Sequence, residues 1–492
     1  MQDAPMGFSV VVFAVALVAT FIVACLGRRD SNRVASDVLA EHRLNRWLVG
    51  LSAGATANSG FVVTGAVGLG YTFGAQWLLL PLSWLLGDML FWLVFPNRIN
   101  AAGRAIDATT TTDVIVHGLK PRPQVILKRT IAVIVLVCLG GYISAQWIAG
   151  QKFLQGAFGF ENITSLLVFA ALIVIYTAIG GFRGSVYADT LQAVVRVIGT
   201  LIALIAVTVI ASRAPAAFWQ NIHSAGPDFL HIFPKGSWFT PVPVILGFAA
   251  ASLGFGLGQP QMVTRYLAGA TPQETRSAWW IYNGFVQSTW IAMTIFGMAL
   301  RGVMPAIADP ETGLSLFHRA NTGPLITGII AADVFATIAA TSNSLLVALA
   351  QTVSLDFLSD IRGRRKTAEE LWVVVAVLGA VSMVVSLCIH STVVNLALSS
   401  VSLMGAGVAP AMLIRVLNWR RTDISLIAAV FVGTSTAILW RYLGLGGMMN
   451  EAAPGILLAL SANFILARVS RVSRNPVPNP VLRYNDASSV QK

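Results

Sequence analysis

The sequence predicts an all-α polytopic membrane protein, and three observations carry that expectation. First, 56% of the 492 residues are apolar and only 11% are charged, about half the charged share of a soluble domain. Second, unbroken apolar runs of about 20 residues recur along the chain, the length at which a helix crosses a bilayer. A β-barrel would instead show shorter segments of alternating polarity. Third, the 33 Lys and Arg residues are shared unequally between alternate loops.

Thirteen stretches are long enough to span, near 7–27, 47–72, 75–96, 128–156, 163–180, 187–211, 241–262, 279–303, 324–356, 370–389, 392–417, 424–444 and 454–470. The ninth exceeds one straight crossing. Ahead of the first lies Asp3 and no basic residue, while Arg28 and Arg29 follow it. It therefore reads as a span with an outward N-terminus and not as a cleaved leader. Thirteen crossings then place the C-terminus in the cytoplasm. With that topology 26 of the 33 basic residues are cytoplasmic, 6 are outside, and Arg196 alone falls within a span. The positive-inside rule asks for this bias, so the expected location is the bacterial inner (plasma) membrane.

The net charge of +12 follows from this topology and from contact with anionic lipid. Nucleic acid is not an expected partner; the lipid bilayer and a small organic solute are. Cys25, Cys138 and Cys388 lie inside apolar runs, which excludes a disulfide scaffold. The six histidines sit in loops or at span ends, so no pair could hold haem or a metal. No phosphate-binding loop for a primary pump is present, and no nucleophile–base set faces a common cavity, so an enzyme is not expected. The stretch 471–492, Pro-rich at its start, is expected to be a disordered cytoplasmic tail without an appended output domain.

Two spans combine Gly with polar residues. The second contains Ser52, Gly54, Thr56, Asn58, Ser59 and Gly60; the seventh contains Ser252, Gly254, Gly256, Gly258, Gln259 and Pro260. Each opens a block of five spans, 47–211 and 241–417, flanked by an extra helix and loop at 1–46 and two helices at 424–470. An odd number of spans makes the second block enter from the opposite side. That is an inverted repeat with a broken helix at the start of each half. Unwound backbone at mid-membrane is tolerated where it lines a cavity. Half-helix N-termini favour an anionic group there, which points to an amino acid or organic acid as solute.

These residues resemble the sodium:solute symporter family. Gly180-Gly181, then Asp189, then Gln192 match its signature spacing, and Gly258-Gln259-Pro260 with Arg265 is similar to the sixth core helix of its proline branch. The resemblance spans nearly the whole chain. It implies a LeuT-type five-plus-five inverted repeat with 13 transmembrane helices, alternating access, and sodium as coupling ion with no other cofactor. It also implies a cation site built from the carbonyls of Ala55, Asn58 and Ala336 and two hydroxyls on the eighth core helix. Those hydroxyl positions read Ala339 and Ala340 in one register, Ala340 and Thr341 in another. An Asp of the proline branch is Ala57 here. Asp189 matches the family's cytoplasmic-side acid, which assists cation release. Of the branch's pocket rings, Phe61 and Tyr142 are kept, whereas a Trp and a Tyr become Ser252 and Gly256. Proline is therefore not carried over as solute.

The candidate solute contacts are Asn58, Ser59, Gly60, Phe61, Tyr142, Gln146, Ser252, Gly256 and Gln259. Arg196, seven residues after Asp189, lies on the same helix face about 10.5 Å further along. It reads as half of a structural ion pair with Asp189, as an interfacial arginine snorkelling toward the headgroups, or as a fixed cation in the vacated sodium position. Asp333 is a proton-site candidate, a partner for Arg196 or a vestibule group, and Asp88 reads as structural. The expected function is a secondary active symporter importing a small organic solute. The alternatives are a sodium-independent transporter or exchanger with Arg196 in place of the ion, and a transport-inactive sensor.

Overall fold

The computed structural model describes residues 3–28, 39–233, 241–358, 368–389 and 391–469; the expected tail at 471–492 and the basic stretches 29–38 and 359–367 lie outside the described residues. The chain begins with α1 (Asp3–Arg28), α2 (Arg46–Ala57), α3 (Ala66–Phe73), α4 (Leu79–Val94), the short α5 (Pro96–Ile106) and α6 (Thr111–Val116), then α7 (Pro121–Phe158) and α8 (Asn162–Arg213). After α9 (Pro215–Ser224) come α10 (Pro241–Gly258), α11 (Pro260–Leu267), α12 (Pro272–Ser277), α13 (Trp279–Val303) and α14 (Gly313–Asn321). The chain continues through α15 (Pro324–Gln351), α16 (Ala368–Cys388), α17 (Val393–Val416), α18 (Asp423–Tyr442) and α19 (Ala452–Val469). Among the described residues the β structure is one isolated parallel bridge, Leu44 to Gly269.

Nine helical stretches among the described residues are long and apolar enough to cross a membrane, with shorter apolar helices at Asn162–Thr177 and Val373–Cys388. Their outward faces carry side chains such as Val15, Ile205, Val381 and Leu457, each more than half exposed. A surface so rich in apolar groups is stable in lipid and not in water.

Local sequence explains the interruptions. Between α2 and α3, Asn58 leaves the helical region (φ −83°, ψ 65°), and the helix resumes as a wide turn over Phe61–Gly65. Between α10 and α11, Gln259 is extended (φ −88°, ψ 114°). Pro260 accounts for this, since its ring drives the preceding residue out of the helical region and it has no N–H to donate. Within α8, Gly181 adopts φ 60°, ψ −171°, which a side chain would oppose. It divides α8 into two apolar arms.

The two broken helices sit in the middle of the packing. α2 lies against α8, α13 and α15, while α10 runs between α4 and α17. A Cβ on Gly254 would lie 2.8 Å from the Gly405 Cα, so α10 and α17 meet backbone to backbone. α1 covers α8 and α15 from outside, and α18 and α19 pack together beside α17.

The end of the molecule carrying Arg46 and Arg104 is closed by polar contacts. Leu44 exchanges backbone bonds with Ala268 and Ala270. Asn100 donates to the Tyr266 and Gly269 carbonyls at 2.8 and 2.9 Å, and Arg104 donates to Gly269 at 3.0 Å. These side chains satisfy carbonyls released where α11 ends. At the opposite end Lys152 of α7 holds Asp309 at 2.8 Å and Glu311 at 2.5 Å.

Candidate functional site

The first break is held by side chains from other helices. Gly60 donates its amide to the Gln146 carbonyl oxygen at 2.9 Å. The Phe61 amide donates to Ser59 Oγ at 3.2 Å, and the Val62 amide to the Ser59 carbonyl at 2.9 Å. Asn58 Nδ2 donates to Thr289 Oγ1 of α13 at 2.5 Å. The leading amides of the half-helix after the break are therefore already bonded within the protein. They are not free for a carboxylate, unlike the expectation drawn from helix polarity. Gln146 acts on the backbone of the break and does not line the cavity beside it.

That cavity is small, with about 30 Å³ of room, and it opens to solvent. Ser59, Phe61 and Tyr142 line it, together with Trp84, Phe255 and Trp290. Ala57 and Phe255 bring the neighbourhoods of both breaks to the same space. Phe61 meets Trp290 edge to face at 5.3 Å, Trp290 meets Trp84 at 5.6 Å, and Trp84 meets Phe255 at 5.8 Å.

The other solute candidates face elsewhere. Ser252 donates to Asp88 at 2.7 Å. A Cβ on Gly256 would strike the Phe91 ring at 2.7 Å, away from the cavity. Gln259 is buried and accepts from Gln261 at 2.6 Å. The two ring positions that read as Ser252 and Gly256 thus hold α10 close to α4. The cavity takes its additional rings from Trp84 of α4 and Trp290 of α13. Sequence spacing missed both, since each looks like an ordinary aromatic of an apolar span.

A second cluster lies toward the Arg46 end, one turn before the first break. Thr341 Oγ1 donates to the Thr56 carbonyl at 2.9 Å. Thr56 Oγ1 and Ser344 Oγ are 3.1 Å apart, and Ser344 donates to the Ala340 carbonyl at 2.8 Å. Ala55, Ala336 and Ala340 are buried. Of the two registers on α15, the one that includes Thr341 brings a hydroxyl to α2. Ser344 and Thr56, which motif matching passed over, supply further oxygens. Their signal was periodic: Ser52 and Thr56 are one turn apart, as are Thr341 and Ser344.

Arg265 borders this cluster. Its Nη2 donates to Asp189 at 2.7 Å and to Ser344 at 2.6 Å. Its Nε meets Ser52 at 2.7 Å, and its Nη1 donates to the Gln261 carbonyl. Asp189 also accepts from Ser52 at 2.8 Å. One guanidinium therefore joins α2, α8, α11 and α15 through a buried ion pair.

Arg196 pairs with Asp333, Nη1 to Oδ2 at 2.7 Å, and both side chains are buried. Asp333 precedes Thr341 by eight residues, about 12 Å along the helix. Of the readings open for Arg196, the partnered one describes this geometry, although the partner is Asp333 and not Asp189. Outside the spans, Arg46 grips Glu274 at 2.7 Å. Hydrogen bonding to Arg46 holds the Glu274 carboxyl below its ordinary range. Among the described residues no group of three His, Cys, Asp or Glu side chains could hold a metal.

Residues 38–433 match the model of the sodium:solute symporter family. The chain is 25% identical over 471 residues to the osmoregulated proline transporter OpuE of Bacillus subtilis, covering 92% of this chain and 93% of that protein. It is 24% identical over 494 residues to the sodium/proline symporter of Haemophilus influenzae, covering 96% of each. Among solved structures it resembles a Na+-coupled sialic acid symporter in a substrate-bound outward-open state (TM-score 0.79, 18% identity, 94% of this chain and 98% of that one). The nucleobase-cation-symport-1 transporter Mhp1 aligns with a TM-score of 0.51 at 12% identity, over 90% of this chain and 97% of that one. The fold is the LeuT type expected from the sequence. The chain belongs to the sodium:solute symporter family and is a multi-pass secondary active solute:cation symporter, not an enzyme.

Proposed function

We propose that this symporter imports a small organic solute by exposing the cavity at Ser59 and Tyr142 alternately to the two sides of the inner membrane, with sodium as the co-transported ion. The observation that carries the reading is the proximity of two sites on one broken helix. Thr56 belongs to the hydroxyl cluster, and Ser59, three residues on, lines the cavity. Movement of that helix would act on both sites together. Sodium takes oxygen ligands, and Thr56 and Thr341 bring hydroxyls together where Ala339 and Ala340 cannot, with Ser344 tying Thr56 to Arg265. The carbonyls of Ala55, Asn58 and Ala336 are the remaining donors by family resemblance. Arg196 is engaged by Asp333, which favours sodium over the reading in which Arg196 replaces the ion.

The accompanying topology has thirteen crossings, repeats at 47–211 and 241–417, the N-terminus outside and the C-terminus in the cytoplasm. Asp189 and Arg265 then stand on the cytoplasmic side of the sodium position, where breaking their pair would open its exit. Relatives named as proline transporters make proline the first solute to test.

The experiment is uptake into proteoliposomes with sodium and proton gradients imposed separately, using proline and a panel of amino acids, organic acids and amines. Solute accumulation that follows the sodium gradient and is abolished by Val401→Trp, which fills the cavity, is the expected result. Accumulation indifferent to sodium would overturn the coupling. Accumulation indifferent to Val401→Trp would overturn the site. Solute binding without any counterflow would point to a transport-inactive sensor.

A further inference from the structure

We propose that the C-terminal end of α17 carries a binding site for the phosphate of an anionic phospholipid headgroup, formed by Arg415 and Arg421 with His117 at its rim.

The backbone brings these groups together. Past the end of α17, Asn418 takes the left-handed conformation (φ 52°). Its amide donates to the Arg415 carbonyl at 3.1 Å, and the Trp419 amide donates to the Ile414 carbonyl at 3.0 Å. The chain therefore folds back over the helix end. Arg421 returns to that end, with Nη1 at 3.4 Å from Asn418 Oδ1 and 3.5 Å from the Trp419 carbonyl. Arg415 reaches the other way, where its Nε donates to the Val114 carbonyl of α6 at 3.1 Å. His117 follows α6 directly. Partial burial, and then the charges of Arg415 and Arg421, hold its imidazole below the ordinary range.

No carboxylate answers these charges among the described residues. Arg415 and Arg421 are half-buried, and their bonds go to two carbonyls and one side-chain amide oxygen. Burial disfavours the Arg421 charge, and no acid offsets it. Asp113 of α6 is taken up by Lys128 at 3.7 Å and by the Thr110 amide at 3.1 Å. Asp423 stands in the first turn of α18, where the helix N-terminus favours it. The C-terminus of α17 supplies about half a negative charge, less than two guanidiniums call for. Arg196 and Arg265, by contrast, each meet an Asp at 2.7 Å. A guanidinium fork without a carboxylate matches the oxygens of a phosphate equally well.

The surroundings favour a lipid as the source of that phosphate. Trp419 is 45% exposed, and His117, Asn418 and Arg420 are exposed around the rim. An exposed Trp just past the end of a span belongs at headgroup level. Basic groups gathered between spans at that level take anionic headgroups.

The test uses the purified full chain in nanodiscs of phosphatidylcholine, with and without phosphatidylglycerol, and counts retained lipid by native mass spectrometry. Phosphatidylglycerol should be retained in preference to phosphatidylcholine. Retention should fall about tenfold in Arg421→Gln, the worth of a charged hydrogen bond. It should stay unchanged in Arg420→Gln, which removes the same charge from the exposed neighbouring position. Equal loss in both variants, or no preference for phosphatidylglycerol, would overturn the site. A second measurement needs no altered arginine. The His117 titration, followed by NMR of histidine-labelled protein and assigned with His117→Gln, should move to higher pH when phosphatidylglycerol is added. A bound phosphate offsets the two charges beside that ring. A rise no larger than that of the exposed His231 would count against the proposal with equal force. Inorganic phosphate separates the two sources of the anion. If it raises the His117 titration as far as phosphatidylglycerol does and displaces the lipid, the site takes a soluble phosphate and the lipid assignment falls.

Discussion

Arg196 Nη1 lies 2.7 Å from Asp333 Oδ2, tying the arm of α8 that follows Gly181 to α15 where both side chains are buried. Gly199 makes room for the pair, since a Cβ there would lie 2.2 Å from the same carboxylate oxygen. Removing one member of a buried pair leaves an uncompensated charge, which costs about 3–5 kcal/mol.

Arg196→Met should therefore destabilise the protein strongly, and Arg196→Met with Asp333→Leu should recover most of the loss. Melting of detergent-purified variants, followed by size-exclusion chromatography, checks this. The double variant should keep the wild-type sodium dependence of uptake. Loss of sodium dependence in it would return Arg196 to the coupling mechanism.

The Arg265 contacts use three nitrogens in a fixed fork, reaching Ser52, Asp189, Ser344 and the Gln261 carbonyl. Lysine retains the charge but not the fork. Arg265→Lys should slow uptake by about tenfold or more while leaving equilibrium solute binding nearly unchanged, because the cavity is lined by other residues. Comparing initial uptake rates with binding isotherms separates the two effects. A parallel loss of binding would place Arg265 in the solute site.

The hydroxyl cluster sets a third expectation. Thr341→Ala and Ser344→Ala each remove an oxygen from the region between α2 and α15. Each should raise the sodium concentration for half-maximal uptake by roughly threefold to tenfold, the worth of one polar contact. Ala340→Ser, which adds a hydroxyl beside Thr341, should lower it. Unchanged sodium activation in all three variants would move the ion elsewhere.

His318, on α14 between two spans, is stacked beside Phe296 at 6.2 Å and edge-on to Phe317 at 5.0 Å. Burial pushes its pKa down to about 4. An unfolded chain takes up that proton near pH 6.5, before the folded protein does. The unfolded state then binds more protons, so stability contributed by the neutral ring is present above about pH 6.5 and declines as the pH falls toward 4. The slope is at most about 1.4 kcal/mol per pH unit. Melting temperatures between pH 7.5 and 4.5 should show this decline, and His318→Phe should flatten it. An unchanged slope in that variant would assign the acid sensitivity to other groups.

The sequence alone was enough for the class of fold, the family and the positions of both helix breaks. These depend on short-range properties: apolar length, the bias of Lys and Arg between loops, Pro260 behind Gln259, and the conformational freedom of Gly181. The pairings were partly legible: Asp333 was one candidate partner for Arg196, whereas Arg265 was not read as the partner of Asp189. Asp189 and Arg196 share a helix face at the spacing the sequence shows, yet about 10.5 Å along an axis exceeds hydrogen-bond reach. Each finds its partner on a different helix, Arg265 on α11 and Asp333 on α15. The cavity was half visible. Ser59, Phe61 and Tyr142 could be placed from motifs, whereas Trp84 and Trp290 read as lipid-facing or core aromatics until α4 and α13 were packed around the break. Ser252 and Gly256 show the converse, for a helix face that reads as pocket lining is turned onto Asp88 and Phe91. Periodicity decides which residues share a face, but only the crossing of helices decides what that face meets. Contacts such as Thr341 to Thr56, 285 residues apart, exist only once the two broken helices and their neighbours are packed together.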